Sequence, residues 1–474
     1  MTEHILFLTG HLAEPRLRQV IASMVPTGFT AEVRNVGVKV AALMTPEIIR
    51  RRIGPLDGVS RVVLPGRCKG DLPALGEALG VPVQLGPEEL KDLPEFFGAK
   101  GHARDLSGHD CRIFAEIVEA SALDVPQILA RAADLRAEGA DVIDLGCLPG
   151  TPFPLLGEAV QALKHEGYTV SVDSGDIDEL RRGANAGADY LLSLTEATLD
   201  LAHEVAAVPV LIPARHGDLD GLVAACERLT AAGRPFLADP ILDPIHFGFT
   251  ASIVRYHELR RRLPEVEILM GVGNLTELTD ADTTGITMTL MGMVSELAIR
   301  NVLMVQVSPH CRRAVAEAEL ARRIMHAAKA DESLPQGYDP GLLCLRDRRP
   351  FPNSPTEVAE NAAGVHDANF RIEVTEDGVH VYNRDGHHLA RDPFDLFPKL
   401  GVERDGAHAF YLGVELARAQ VAHQLGKRYA QDNELRWGVA VPPPREDRLH
   451  FVQAGSTLEA RRKARRRGGG EETT

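Results

Sequence analysis

The sequence is poor in cysteine, has no excess of positive charge and contains no long apolar run. Six cysteines are spread over 474 residues with no close pair, which excludes CxxC zinc or redox motifs and gives no disulfide framework. The 52 lysines and arginines are outnumbered by 67 aspartates and glutamates, and the formal net charge of −15 argues against a general binder of nucleic acid or anionic membranes. Because no apolar run has transmembrane length and the first residues show no signal-peptide pattern, we expect a cytoplasmic protein.

The sequence does contain a repeated alternation of strand and helix patterns. Its length predicts two or three domains, and a hydrophobic fraction of 44% is enough for a large core. Residues 1–105 alternate short apolar strands with amphipathic helices, which predicts a small Rossmann-like α/β domain with an open parallel sheet. A segment rich in charge, glycine and proline at 86–106 is predicted to be the linker that follows it.

Residues 106–330 repeat the alternation in a more regular form. Eight apolar, β-branched strands are each followed by a helix, which is the pattern of a (β/α)₈ barrel. An open doubly wound sheet is the alternative, and the count of eight favours closure.

The pattern changes after residue 330. A connector rich in proline and glycine leads to 371–390, where alternation and an acidic turn are typical of a β-hairpin, and a long amphipathic helix is predicted over 408–432. We therefore predict an α+β domain over 331–460 and a disordered basic tail over 461–474. Six residues of the helix segment could form a polar site, although a solvated face accounts for most of them: His408, Tyr411, Glu415, Arg418, Gln431 and Asp432.

The carboxyl ends of barrel strands converge on one mouth, and here they carry polar residues. Asp144 and Asp173 directly end apolar strands, where an unpaired carboxylate is costly unless it meets a ligand or a hydrogen-bond network. Asp176 and Asp282 lie just ahead of helices, and we interpret them as caps or turn residues. Carboxylates that converge with few cations suit a neutral heterocycle with several N–H donors, whereas a bare phosphate would prefer arginine, lysine or a helix N-terminus.

Four motifs, in order over about 110–330, carry a family resemblance. GADVIDLGCLPGTP, VSVDS and DPILDPIHFGF resemble motifs on the second, third and sixth strands of dihydropteroate synthases and other pterin-binding barrels, and VQVSPHCRRA lies where those proteins carry RVHDV. The resemblance implies that Asp173 binds the amino and ring N–H groups of a pterin, with Asp239 or Asp243 as the second acceptor. The implied pterin contacts are Asp144, Asp173, Ser193, Asp239, Asp243, Asn274 and Gln306, the implied anion contacts are Thr151, Ser308 and His310, and the implied catalytic residues are Asp173, Asp243 and His310.

This chain also departs from the family pattern. Folate-type synthases carry a lysine in an SRK motif after the seventh strand, where this chain has GVGN, and their second-loop arginine is absent from CLPGTP. Asn274 lies where corrinoid-linked methyltransferases of this family carry an asparagine. We expect the glycines of GVGN to allow close backbone approach to a ligand. His310 could replace the histidine of RVHDV as an anion ligand, or simply flank a helix cap.

The flanking motifs narrow the expected function. DADTTG and the HAFYLG helix resemble the dihydropteroate synthase-like proteins of the tetrahydromethanopterin pathway. That resemblance implies a homodimeric transferase, with Mg²⁺ as a possible cofactor. It would condense a 6-hydroxymethyl-dihydropterin pyrophosphate with an arylamine such as ribofuranosyl-aminobenzene phosphate. Two alternatives stay open: a methyl-tetrahydropterin-dependent methyltransferase, and a pterin-binding protein without catalysis that assembles partner enzymes of one-carbon metabolism.

Overall fold

The computed structural model describes residues 3–24, 28–41, 44–87, 90–98 and 105–442. The basic tail predicted over 461–474 and the last part of the predicted C-terminal domain lie outside them. The chain divides into two compact units. One consists of Met1–Asp110 with Arg323–Tyr338, and the other of Cys111–Arg322 with the chain from Asp339 onward.

The first unit contains a four-stranded parallel sheet with the strand order β2-β1-β3-β4. Its elements are β1 (Glu3–Thr9), α1 (Glu14–Ser23), β2 (Phe29–Asn35), α2 (Pro46–Arg52), β3 (Arg61–Leu64), α3 (Leu72–Leu79), β4 (Val83–Leu85) and α4 (Leu93–Phe96). Thr45 and Asp71 cap α2 and α3, and a proline in the first turn of each helix supplies the fixed φ that a helix start favours. α4 lies inside the segment predicted as a linker, and its Leu93 is buried in the sheet's core, so that segment is partly folded into this unit.

The second unit contains a closed eight-stranded parallel barrel, as predicted. The strands neighbour one another in the order β10-β11-β12-β5-β6-β7-β8-β9. The strands are β5 (Arg112–Ile117), β6 (Val142–Gly146), β7 (Thr169–Asp173), β8 (Tyr190–Leu194), β9 (Val208–Leu211), β10 (Leu237–Ala238), β11 (Glu267–Gly271) and β12 (Asn301–Met304). The helices are α5 (Val125–Glu138), α6 (Leu156–His165), α7 (Ile177–Asn185), α8 (Leu201–Glu204), α9 (Leu219–Ala231), α10 (Phe249–Arg262), α11 (Gly273–Thr276), α12 (Thr283–Glu296) and α13 (Ala314–Ala330).

Helix caps account for several of the polar residues that follow the strands. Asp124 and Gln127 form a capping box at the start of α5, and Asp176 accepts a hydrogen bond from the backbone of Asp178 at the start of α7. The interpretation of Asp176 as a cap is therefore confirmed. Asp282 occupies the cap position of α12, but its side chain accepts no capping hydrogen bond there.

The barrel interior has an apolar layer below a layer of carboxyl groups. Phe114, Val142 and Leu237 belong to one buried cluster. Because side chains alternate along a strand, the residues two positions further on point to the same side. Those residues are Glu116 and Asp144, together with an aspartate on β10's exit, Asp239. The apolar cluster thus forms a floor beneath the acidic mouth.

The rest of the second unit follows the barrel along the chain. Its elements are α14 (Pro355–Ala363), β13 (Arg371–Val374), β14 (Val379–Asn383), β15 (Gly386–Ala390), α15 (Pro393–Leu396) and α16 (Gly406–Leu425). The predicted hairpin is the first half of a three-stranded antiparallel sheet, since a second turn at Arg384–Asp385 returns the chain as β15. α16 packs on this sheet through Leu412 and Leu416. In the described parts of the chain, no helix is long and apolar enough to cross a membrane.

Candidate functional site

Three neighbouring strands place carboxyl groups side by side at the barrel mouth. Glu116 on β5 stands opposite Asp144 on β6, and Gly146 stands opposite Asp173 on β7. A Cβ on Gly146 would lie 2.3 Å from Oε1 of Glu116, so the glutamate carboxyl group occupies the space that the glycine leaves open. The glycine at this position therefore allows the carboxyl of Glu116 to lie across β6 toward Asp173.

Asp144 is the most deeply buried of these groups. It is fully buried, and the Ser171 hydroxyl donates a hydrogen bond to its Oδ1. Its Oδ2 is buried without a hydrogen-bond partner among the described residues. Burial, followed by the charges of Asp173 and Glu116, raises the pKa of Asp144 well above its usual value. The folded chain thus holds an acceptor that nothing in the described structure satisfies.

Glu116 and Asp173 also retain protons more readily than free carboxyl groups. Burial and the neighbouring charge of Asp173 raise the pKa of Glu116 to about 7, and burial raises the pKa of Asp173 against the opposing effect of its hydrogen bond from Ser193. The Ser193 hydroxyl donates to Oδ1 of Asp173 at 2.5 Å. Ser193 has a φ of 69°, and the pairing of β8 with β9 shifts register between Leu191 and Leu194. This irregular backbone orients the Ser193 hydroxyl toward Asp173, and the positive φ of Ser193 costs some conformational strain.

The two aspartates of the sixth-strand loop have different surroundings. Oδ1 of Asp239 accepts hydrogen bonds from the Tyr256 hydroxyl at 2.6 Å and from the Ile241 amide at 2.7 Å. Oδ2 of Asp239 therefore remains available to a ligand at the barrel mouth. Burial raises the pKa of Asp239 to about 6. Asp243, in contrast, accepts from Arg255 at 2.7 Å and lies 2.8 Å from Nε2 of His216. Although burial opposes it, these two bonds hold the pKa of Asp243 below its usual value.

The segment after β11 forms the short helix α11 at once. A Cβ on Gly273 would lie 2.6 Å from the Val305 side chain. Glycine at this position therefore allows the residues that follow β11 to pack against those that follow β12. The expectation that the glycines of GVGN allow close approach to a ligand stays a prediction; a Cβ on the other glycine, Gly271, would lie 3.9 Å from Oδ2 of Asp239. Asn274 is exposed, and its Nδ2 donates to the Leu242 carbonyl at 2.9 Å. This bond orients the amide and leaves its oxygen available.

The predicted anion contacts are not gathered at the carboxyl layer. The two carboxylate oxygens of Glu277 accept the backbone N–H groups of Val307 and Ser308, at 2.8 and 2.9 Å. His310 lies 3.2 Å from the Thr276 carbonyl through Nε2. Thr151 is exposed on the loop after β6. An anion near Ser308 would be repelled by the carboxylate of Glu277, which already accepts the backbone N–H groups of this loop. The geometry therefore does not support the predicted anion contacts.

A cavity of about 930 Å³ lies beside Glu116, between β5 with α5 and the exit of β12. Gln306 lines it and donates to Oε2 of Glu138 at 2.8 Å. Arg313 forms an ion pair with the same glutamate and donates to the Val439 carbonyl at 2.9 Å, which joins the end of the described chain to the barrel. Among the described residues, no group of three or more His, Cys, Asp or Glu side chains is arranged to hold a metal ion.

Sequence reasoning assigned no role to three residues of this site. Glu116 was recognisable from the alternation that places it two positions after the buried Phe114. Tyr256 and Arg255 lie on α10, far from the loop in which they bind Asp239 and Asp243. No pattern in the sequence identifies these partners, because the contact depends on how α10 packs back on the barrel.

Comparison with known proteins gives one family model and one curated relative. A family of unknown function, DUF6513, matches residues 3–88. The uncharacterized protein MJ0107 of Methanocaldococcus jannaschii is 24% identical, over 91% of this chain and 98% of its own length. Both matches leave the reaction open.

Among solved structures, dihydropteroate synthases match about half of the chain. The enzyme of Xanthomonas albilineans in complex with 7,8-dihydropteroate is 22% identical, covering 48% of this chain and 95% of that one, with a TM-score of 0.38. The Yersinia pestis enzyme with a pterine-sulfa conjugate is 20% identical, covering 48% and 95%, with a TM-score of 0.37. The Burkholderia cenocepacia enzyme with 7,8-dihydropteroate is 18% identical, covering 47% and 92%, also at 0.37. We base no conclusion about the reaction on matches at this identity and TM-score.

Proposed function

We propose that the second unit is a pterin-binding transferase of the dihydropteroate synthase type. The observation that carries the proposal is the layer of four carboxyl groups at the barrel mouth, from Glu116, Asp144, Asp173 and Asp239. Among the described residues, Asp144 has a buried oxygen without a partner, and Asp239 has its donors on one oxygen only. A buried acceptor of this kind costs free energy until a donor reaches it, so the site favours a ligand that is rich in N–H groups.

The charges of the mouth support a pterin over an anion. Arg255, whose charge acts on Asp239, is already bound to Asp243 and to the carbonyls of Pro240 and Ile241. A pterin ring presents an amino group and a ring N–H on one edge, which two carboxylates can accept. We assign Asp173 and Asp239 to that edge, and Asp243 to holding the loop through Arg255.

For the reaction, we propose condensation of a dihydropterin-methyl pyrophosphate with an arylamine phosphate, as a step toward a tetrahydromethanopterin-type cofactor. Asp173 and Asp239 would orient the ring so that its exocyclic methylene faces the mouth. Holding both substrates in this geometry supplies most of the rate enhancement that such a displacement needs. A homodimer would follow the common pattern of pterin-binding barrels.

Two substitutions test the assignment of the loop aspartates. Asp239→Asn should weaken binding of 6-hydroxymethyl-dihydropterin by about 10-fold or more, because it replaces an acceptor by a donor at a ligand N–H. Asp243→Asn is the matched control, three residues after the loop's first proline, and should keep the affinity within a few-fold. The measurement is a fluorescence titration of the pterin, followed by a pyrophosphate-release assay with the arylamine. Equal affinity in wild type and Asp239→Asn would remove Asp239 from the site.

A second candidate, methyl transfer from a methyl-tetrahydropterin, is favoured by Asn274. Its amide is fixed by Leu242 and exposed at the mouth, in the position where corrinoid-linked methyltransferases of this family carry asparagine. Incubation of the protein with methyl-tetrahydropterin and cob(I)alamin would produce methylcobalamin under this alternative. Pyrophosphate release without methyl transfer would exclude it.

A further inference from the structure

The cavity beside Glu116 is not required by the pterin contacts assigned above, yet its lining includes Glu116, whose carboxyl group belongs to the same layer as Asp144 and Asp173. We propose that it binds the amine substrate, with the amino group at Glu116 and an anionic substituent at Arg131, and that Glu116 accepts the proton of the attacking amine. The proposal rests on the proposed transferase function. It adds the location of the second substrate and a residue for its deprotonation.

Arg131 is the cation of the cavity that remains available to a ligand. Arg313 also lines the cavity, but it is bound to Glu138 and to the Val439 carbonyl. Arg131 is exposed on α5 and has no hydrogen-bond or ion-pair partner among the described residues. A guanidinium in this state binds a phosphate or carboxylate with charge-assisted hydrogen bonds at little cost in desolvation.

Part of the cavity wall is apolar. Ile117, Leu135, Val307 and Pro442 contribute side chains to it. An aromatic ring can bury its surface there while its two ends reach polar groups. A volume of about 930 Å³ is within the range of pockets that take a small organic ligand. The lining therefore suits an arylamine that carries an acidic group at its far end.

Glu116 is the residue that the cavity shares with the carboxyl layer. It has no hydrogen-bond partner among the described residues, and its carboxyl group lies over Gly146 next to Asp173. The groups that face it are Asp144 and Asp173 on the neighbouring strands, while Glu119 and Asp134 line the same cavity. With a pKa of about 7, Glu116 is ionised in part at neutral pH and can both take and release a proton.

The proposed step conserves atoms and charge. The bond between the methylene carbon and the pyrophosphate oxygen breaks, and its electron pair leaves with pyrophosphate. The amine lone pair forms the new C–N bond to the methylene carbon. The N–H proton passes to the carboxylate of Glu116, which then releases it to water through the cavity.

Two variants and two controls test this assignment in steady-state assays. Glu116→Gln should lower kcat by about 100-fold and remove the rise of kcat with pH near neutrality, while pterin affinity stays within a few-fold. Arg131→Gln should raise KM by about 10-fold for ribofuranosyl-aminobenzene phosphate and leave kcat unchanged. The same variant should leave KM unchanged for the dephosphorylated amine. The controls are Glu119→Gln on the same cavity, and Arg136→Gln on the same helix but outside the cavity.

Several results would overturn the proposal while leaving pterin binding intact. They are a Glu116→Gln variant with the wild-type rate and pH profile, and an Arg131→Gln variant with an unchanged KM for the phosphorylated amine.

Calorimetry of the arylamine phosphate on protein without pterin separates this proposal from the proposed function. Wild type should bind it with release of protons, since an N–H donor favours ionised Glu116, and Glu116→Gln should release none. Binding that is unchanged in both variants would overturn the assignment. Wild type that binds the amine but no dihydropterin would contradict only the proposed function.

Discussion

Two regions of the second unit bury carboxyl groups, and they treat them in opposite ways. In the α16 region, Glu415 is buried and accepts hydrogen bonds from Arg418 at 2.7 Å, from the Tyr429 hydroxyl at 2.6 Å and from the Asp432 amide at 3.2 Å. At the barrel mouth, Asp144 is buried with one donor and one orphaned oxygen.

The two regions differ in how far the protein itself satisfies a buried carboxyl group. Glu415 is satisfied by the protein itself, so its charge stabilises the packing of the α16 region. Asp144 keeps one oxygen without a donor among the described residues, and its burial, together with the charges of Asp173 and Glu116, raises its pKa, so its ionised form costs stability. The expectation of a solvated face on α16 is therefore wrong for Glu415, which forms a closed network with its neighbours.

The largest effect expected from this comparison is at Glu415. Glu415→Gln places an amide against the donors Arg418 and Tyr429, and it should lower the free energy of unfolding by about 2 to 4 kcal/mol. Urea denaturation measures this loss. The exposed Glu434→Gln is the control and should change little. A Glu415→Gln variant as stable as wild type would mean that the network contributes nothing to folding.

At the barrel mouth, we expect a substitution of a buried carboxyl group to increase the free energy of unfolding instead of lowering it. Asp144→Asn replaces a buried ionisable group by a neutral amide and places a donor at the oxygen position that lacks a partner among the described residues. It should raise the free energy of unfolding at pH 8 by about 1 to 2 kcal/mol, while weakening pterin binding. The same urea experiment, run beside the Glu415→Gln variant, checks the contrast. Destabilisation by both substitutions would erase the distinction between the two regions.

The smallest effect is on the pH dependence of stability. The folded-state pKa values of Glu116 and Asp239, about 7 and about 6, lie above those of unfolded carboxyl groups. The folded state therefore binds more protons between about pH 4.5 and 7, and stability must fall as pH rises through this window, by on the order of 1 kcal/mol per pH unit for each group.

Unfolding free energies at pH 5, 6, 7 and 8 measure that slope. Glu116→Gln and Asp239→Asn should each flatten it. Glu258→Gln is the control, because hydrogen bonds from Arg261 and Arg262 lower the pKa of Glu258 to about 2, so it stays ionised throughout. A slope of the opposite sign would show that the mouth carboxylates are ionised in the folded state at pH 5.

The sequence predicts the barrel well because each strand is a short apolar run that ends in a polar residue. It also assigns Asp173 and Ser193 to the same predicted pterin site, but it does not predict the hydrogen bond between them. It does not predict that Arg255 and His216 bind Asp243, since these partners come from elements brought close only by folding. The helix α14 was missed for a related reason: Val358 is its one buried side chain, so its helical periodicity is weak.

The most direct test of the central claim is an equilibrium titration of 6-hydroxymethyl-7,8-dihydropterin, followed by fluorescence, on three proteins. Wild type should bind the pterin, and Asp173→Asn should bind it at least about 100-fold more weakly, since an acceptor of its N–H groups is lost in a buried site. Asp176→Asn, which alters a helix cap three residues away, should bind as wild type does. Normal binding by Asp173→Asn, or no binding by wild type, would contradict the account.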